Sequence, residues 1–148
     1  MTRSVDVTIR NETSQIAVVR DELDRLAVQW ALPERALIHL QVALDEIVSN
    51  VIKYSWTDGG KHEVLVRIAA HPTGVSLDIF DDGRPFDPRQ APAPGPPPPG
   101  QRPRPGGVGI QMARKLVDEL AYERVGGRNH TRLTKHFPVG ESPERMCE

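Results

Sequence analysis

A proline-rich tract in the second half of the chain limits its possible folds more than any other feature. Nine of the fourteen prolines lie between Pro88 and Pro105, and proline disrupts helices and central strands because it lacks a backbone donor. A linker there would leave pieces of about 88 and 43 residues, and the shorter piece would struggle to bury a core. We therefore predict one domain over residues 1–138, with an exposed loop or lid at about 89–105 and a short tail at 139–148.

Hydrophobic periodicity on both sides of this tract predicts the element order β-α-α-β-β-loop-α-β-β. Before the tract, the predicted strands cover residues 4–10, 63–70 and 75–80, and the predicted helices cover about 13–30 and 33–54. After the tract, a helix over about 108–117 precedes strands over about 120–125 and 131–137. Strands joined by hairpins favour an α/β two-layer sandwich, with the helices on one face of a mixed, mostly antiparallel sheet.

Charge and hydropathy argue against several classes of function. The formal net charge is −1, which lacks the basic excess typical of nucleic-acid binding. No uninterrupted apolar run is longer than Ile16–Val19, so we expect neither a membrane span nor a secretory signal. The lone Cys147 and the scattered histidines do not form the spacing of a metal site made by protein side chains alone. We expect a cytoplasmic protein that contacts neither nucleic acid nor membrane directly.

The second predicted helix carries a polar face opposite its apolar stripe. Glu46, Asn50 and Lys53 share this face at spacings of i, i+4 and i+7. Any amphipathic helix has such a face, and solvation alone explains it. However, a glutamate can also take a proton, and an asparagine carbonyl oxygen is a neutral, hard ligand for Mg²⁺. The face is therefore a candidate for catalysis.

Asp81 and Gly83 follow the third predicted strand. Asp-Gly sequences are ordinary turn formers, which explains the pair without any ligand. A carboxylate fixed at a strand end can also accept a hydrogen bond from an exocyclic amine, and a glycine lets a flat ring approach the backbone. A purine with a carbonyl at position six would leave that carboxylate unpaired, at a cost of about 1–3 kcal/mol. These residues alone leave both interpretations open.

Three glycines, Gly106, Gly107 and Gly109, lie at the start of the third predicted helix. The run fails the P-loop pattern, and it fails the dinucleotide-binding pattern because Met112 stands where the third glycine would be. The glycines either end a loop or turn backbone N–H groups toward a phosphate at the helix N-terminus.

In combination, these motifs resemble the Bergerat or GHKL nucleotide-binding fold of gyrase, histidine-kinase catalytic domains and anti-sigma-factor serine/threonine kinases. The order is Glu46-x-x-x-Asn50 on a helix, Asp81-x-Gly83 after a strand, a long loop, and Gly107-x-Gly109 before a helix. Three longer segments are similar to the anti-sigma-factor kinases of the RsbW and SpoIIAB type. These segments are residues 43–50 (ALDEIVSN), 82–88 (DGRPFDP) and 106–110 (GGVGI).

The resemblance implies an ATP site in which each matching residue has a role. Glu46 would be the general base for the attacking hydroxyl, and Asn50 would bind Mg²⁺ between the phosphates. Asp81 would accept the adenine amine, Gly83 would let the base approach, and residues 89–105 would be the ATP lid. We add Lys53, one turn beyond Asn50, as a phosphate neighbour. The other expected ATP contacts are Gly106, Gly107, Val108, Gly109 and Asn129.

The chain departs from the family pattern in its unusually proline-rich lid and at two further places. Pro85 replaces a glycine that is common in the first glycine box, which stiffens that loop. Asn129 lies near the final strand, where relatives often carry a threonine close to the base, and Thr131 and Thr134 follow it.

The resemblance implies a kinase that transfers the γ-phosphate of ATP to a Ser or Thr of a STAS-type anti-sigma antagonist. A sigma factor or another output protein would be a second partner, and a homodimer is expected. The alternative is a nucleotide-dependent partner-switching module without phosphotransfer, against which the retained Glu46 argues. A histidine-kinase fragment would need an upstream helical domain, but only three residues precede the first predicted strand.

Overall fold

The computed structural model describes residues 3–90, 99–100 and 107–137. The helices and strands are β1 (Arg3–Arg10), α1 (Ile16–Gln29), α2 (Glu34–Tyr54), β2 (Glu63–His71), β3 (Gly74–Asp81), α3 (Gly107–Leu116), β4 (Glu119–Val125) and β5 (Arg128–His136). Most of the predicted lid and the predicted tail lie outside the described residues. No helix in the described ranges is long and apolar enough to cross a membrane.

The described strands form one sheet with the order β1-β2-β3-β5-β4. All four pairs within it are antiparallel. The predicted α/β fold class is thereby confirmed. In this register Asp81 of β3 pairs with Asn129 of β5, so two predicted site residues lie side by side on neighbouring strands.

The hydrophobic core lies between the helices and one face of the sheet. Alternate residues of each inner strand point into it, as the period-2 pattern predicts, and the apolar stripe of α2 packs against them. The core residues of α2 and the strands include Leu40, Leu44, Ile47, Val48, Val51, Val64, Val66, Ile68, Val75, Leu77, Ile79 and Leu133. Because this stripe is buried, the polar face of α2 is left to the other side of the helix.

Two predicted boundaries are wrong in detail. The last strand begins at Arg128 rather than at residue 131, because Gly126 and Gly127 form a two-residue hairpin turn in which Val125 already pairs with Arg128. Both glycines have positive φ angles, of 59° and 76°, which this type of turn requires. The first predicted helix starts as a 3₁₀ turn at Thr13–Gln15, and α1 itself begins at Ile16.

Candidate functional site

The amide of Asn50 is fixed by its own helix. Asn50 is 4% exposed, and its Nδ2 donates to the main-chain oxygen of Glu46 at 2.6 Å. That hydrogen bond uses the amide nitrogen, and no donor in the described ranges forms a hydrogen bond with Asn50 Oδ1. A carboxamide oxygen is a suitable ligand for Mg²⁺. Asn50 therefore fits the metal-binding role implied by the resemblance.

The carboxylate of Asp81 is buried at the end of β3, where it is 4% exposed. Its Oδ1 accepts the backbone N–H of Gly83 at 3.0 Å and the Nδ2 of Asn129 at 2.9 Å. Both bonds use the same oxygen, so Oδ2 has no donor among the residues that the structure describes. An ionised carboxylate only accepts hydrogen bonds. Asp81 therefore fits a ligand that brings an amine, as adenine does.

The loop that follows Asp81 packs directly on the C-terminal end of α2. The Arg84 backbone N–H donates to the Ser55 carbonyl oxygen at 2.7 Å, and Arg84 Nε donates to the Tyr54 carbonyl oxygen at 2.6 Å. A Cβ atom on Gly83 would overlap the Ser55 backbone. Close packing against α2 thus explains why residue 83 is a glycine, in addition to the predicted approach of the base.

We expect Gly83→Ala to lower the free energy of unfolding by about 1–3 kcal/mol, because the added methyl group meets backbone atoms that cannot rotate away. Chemical denaturation measures this change. Gly60→Ala is a matched control, since the atoms nearest to a Cβ there are the side-chain ends of Asp58 and His62, at 3.2 Å. A Gly83→Ala variant as stable as the wild type would contradict the packing argument.

The first turn of α3 lies against the carboxylate of Glu46. A Cβ on Gly109 would overlap this carboxylate, so only a glycine allows the two to approach so closely. Because α3 begins at Gly107, this is the end of the helix where unpaired N–H groups favour anions. The fold therefore brings the predicted base to the predicted phosphate-binding turn. Val108 lies in the same turn, and Gly106 lies outside the described residues.

A cleft of about 300 Å³ opens beside Glu46, between α1 and α2. The ion pair between Arg20 and Asp45, at 3.2 Å, joins the two helices at this cleft. Lys53 shares the cleft with Glu46, and its contact with a phosphate stays a prediction. The lining residues are Thr13, Ile16, Arg20, Asp45, Glu46, Ser49 and Lys53. Another molecule can therefore reach Glu46 from the side of α1.

The side chain of Asn129 is almost fully buried, at 1% exposure. Its Nδ2 donates to Asp81 and also to the Arg84 carbonyl oxygen, at 2.8 Å. Its Oδ1 accepts from the hydroxyl of Tyr122 at 2.5 Å and from a guanidinium nitrogen of Arg124 at 3.1 Å. The structure thus brings Asn129 to the site as a partner of Asp81, and a direct contact with the base stays a prediction.

Sequence reasoning missed Tyr122 and Arg124 as parts of this site. Along β4, Tyr122 and Arg124 alternate with Ala121 and Glu123. These two pair with Arg132 and His130 of β5, on the face of the sheet turned away from the helices. Tyr122 and Arg124 therefore follow Leu120 on the inward side of the strand. An arginine at an inward position is the signal that could have found them.

Comparison with known proteins places the chain in a family. The model of the histidine kinase-like ATPase domain matches residues 9–135, so the chain belongs to that family, and the predicted superfamily is confirmed. The chain is 30% identical over 114 residues to the serine/threonine-protein kinase BtrW of Bordetella bronchiseptica, covering 77% of this chain and 80% of that protein.

A solved structure shows the same fold. It contains the RsbU and RsbW domains of Rv1364c from Mycobacterium tuberculosis, and the match has a TM-score of 0.64 at 16% sequence identity. The match covers 90% of this chain and 31% of that one. This chain thus spans about a third of that structure's length, and at this identity the likeness shows the fold alone.

Proposed function

We propose that this protein is an ATP-dependent serine/threonine kinase of the anti-sigma-factor type, which phosphorylates a Ser or Thr of a STAS-type antagonist. The close approach of the Glu46 carboxylate to Gly109 at the start of α3 carries the proposal. A proton acceptor, Glu46, therefore lies next to both a helix start suited to phosphate and an accessible cleft. The similarity to BtrW, which is named as a serine/threonine-protein kinase, supports the same activity.

Three parts of the chain would hold the nucleotide. Asp81 Oδ2 accepts the exocyclic amine of adenine, while Asp81 Oδ1 stays bonded within the protein. The backbone N–H groups at the start of α3, from Gly107 through Val108 to Gly109, would face the phosphates, and the predicted contact of Gly106 lies outside the described residues. Asn50 Oδ1 would hold Mg²⁺, which neutralises phosphate charge when it is bound. Lys53 adds a positive charge on the side of the cleft.

In the transfer step, the acceptor hydroxyl enters through the cleft beside Glu46. Its oxygen forms a bond to the γ-phosphorus as the bond from that phosphorus to the bridging oxygen breaks, and ADP leaves. The Glu46 carboxylate takes the hydroxyl proton. Phosphoryl transfer depends mainly on positioning and charge neutralisation, so this small set of groups is sufficient.

The proposal extends to the partners. A STAS-type antagonist is the phosphoacceptor, a sigma factor or another output protein is the second partner, and the kinase acts as a homodimer. The cleft between α1 and α2 supports a protein substrate, because it exposes Glu46 to a side chain carried by another molecule.

Incubation with radiolabelled ATP and purified STAS-domain proteins tests the activity. We expect label on one Ser or Thr of the acceptor, and none when that residue is replaced by alanine. Nucleotide binding without transfer to any such acceptor would contradict kinase activity and favour the partner-switching module.

The contact between Gly109 and Glu46 predicts an unusual effect of Gly109→Ala. Alanine stabilises a helix by about 1 kcal/mol relative to glycine, so the free energy of unfolding should not fall. The added methyl group displaces the flexible Glu46 side chain, however, and should slow phosphotransfer by about tenfold or more, a part of the 10²–10⁴-fold that a general base contributes. Denaturation and single-turnover assays on the same variant measure both effects. Unchanged transfer would contradict the placement of Glu46.

A further inference from the structure

The side-chain amide of Asn129 has no hydrogen-bonding capacity left for a ligand. Its Oδ1 accepts from Tyr122, from Arg124 and from the Phe86 backbone N–H at 3.4 Å, and its Nδ2 donates to Asp81 and to Arg84. An amide offers two N–H donors and an oxygen with two lone pairs, so protein atoms use all of them. Asn129 therefore has no free donor or acceptor for a hydrogen bond to a nucleotide, but its Nδ2 holds Asp81 Oδ1.

Arg124 donates hydrogen bonds to both of the residues that donate to Asp81. One guanidinium nitrogen, Nη1, donates to the Gly83 carbonyl oxygen at 2.6 Å and to Asn129 Oδ1 at 3.1 Å. The same two residues supply the donors to Asp81 Oδ1, through the Gly83 N–H and Asn129 Nδ2. The four residues thus form a closed ring of hydrogen bonds, with Arg124 opposite Asp81.

We infer that Arg124 is a positioning residue for base selection, an inference that rests on the proposed adenine site. Arg124 fixes both donors to Oδ1, so Oδ1 stays occupied and Oδ2 is presented to the base. A carboxylate held in this way discriminates against a carbonyl at position six of the purine, because two acceptors then face each other. A carboxylate free to rotate discriminates less, since it can turn away from the mismatched group.

The test is the ratio of the affinities for ATP and for inosine triphosphate, which carries a carbonyl where ATP carries the amine. Arg124→Met removes the donors and keeps most of the aliphatic stem. We expect it to lower the preference for ATP by about tenfold, which is the change in affinity that corresponds to the loss of one hydrogen bond to a charged group. A purely structural role would weaken binding of both nucleotides equally and leave the ratio unchanged.

Two further variants serve as controls. Arg124→Lys keeps a single charged nitrogen in place of Nη1, and it should retain most of the preference for ATP that Arg124→Met loses. Arg128→Met removes an exposed arginine from the next strand, where its guanidinium lies 4.9 Å from the ring centre of Phe80, on the face opposite Asp81. It should leave the ratio as in the wild type.

The outcomes separate this inference from the proposed function. A wild-type protein with no preference for ATP would overturn the adenine site and the inference together. The inference alone would be overturned if the wild type preferred ATP and the Arg124→Met variant had the same ratio of affinities for ATP and inosine triphosphate. If Arg124→Met does not fold, Arg124→Gln decides, because its shorter, neutral side chain lacks the guanidinium that bonds both the Gly83 carbonyl oxygen and Asn129 Oδ1. A ratio unchanged in that variant would also overturn the inference, and a lowered ratio would support it.

Discussion

Replacing Glu46 with glutamine should nearly abolish phosphotransfer while nucleotide binding stays close to that of the wild type. Glutamine has almost the same shape, so it preserves the packing against Gly109, but its amide cannot take a proton from the acceptor hydroxyl. General bases contribute about 10²–10⁴-fold to rate, and we expect a loss in this range. Single-turnover transfer from ATP to the acceptor measures the rate, and calorimetry measures the binding.

Glu34→Gln is the matched control for this prediction. Glu34 is exposed in the first turn of the same helix, and the same change there should leave the transfer rate unaltered. A Glu46→Gln variant that still turns over at the wild-type rate would show that Glu46 is not the base.

The second large effect concerns Asp81→Asn. The amide oxygen of the new side chain can keep both bonds from Gly83 and Asn129, and its NH₂ group then takes the place of Oδ2. A donor would face the adenine amine, so ATP affinity should fall about tenfold or more, since an unpaired buried donor costs about 1–3 kcal/mol. Inosine triphosphate should bind better than it binds the wild type, because its carbonyl accepts from the new amide.

Asp82→Asn is the control, since Asp82 is exposed and its carboxylate accepts from Trp56 Nε1 at 3.1 Å. An amide oxygen can accept the same bond, so nucleotide selectivity should not change. If Asp81→Asn bound both nucleotides as the wild type does, the adenine would have to lie elsewhere.

Much of the fold was predictable because its signals are local. The apolar stripe of α2 and the alternation in β2 and β3 each follow from a few neighbouring residues. Asp81 and Gly83 were also predictable as a pair, because a turn after a strand fixes their separation within a few residues. The start of β5 was missed because Asn129 is buried and polar, which breaks the apolar alternation that marks a strand.

The remainder of the site depends on contacts between distant segments. The approach of Gly109 to Glu46 results from the packing of α3 on α2, which no local pattern encodes. Asn129 reaches Asp81 through the register of β5 against β3, and Arg124 reaches both through the hairpin of β4 and β5. The resemblance therefore predicted the site residues, while their hydrogen-bond partners depend on the three-dimensional packing of the chain.

Calorimetric titration of the wild-type protein with ATP, ADP and GTP, each with and without Mg²⁺, tests the central claim most directly. We expect ATP and ADP to bind, GTP to bind at least about tenfold more weakly because it leaves Asp81 unpaired, and Mg²⁺ to strengthen ATP binding through Asn50. Equal affinity for ATP and GTP, or no binding at millimolar nucleotide, would contradict an adenine site built on Asp81 and the kinase that depends on it.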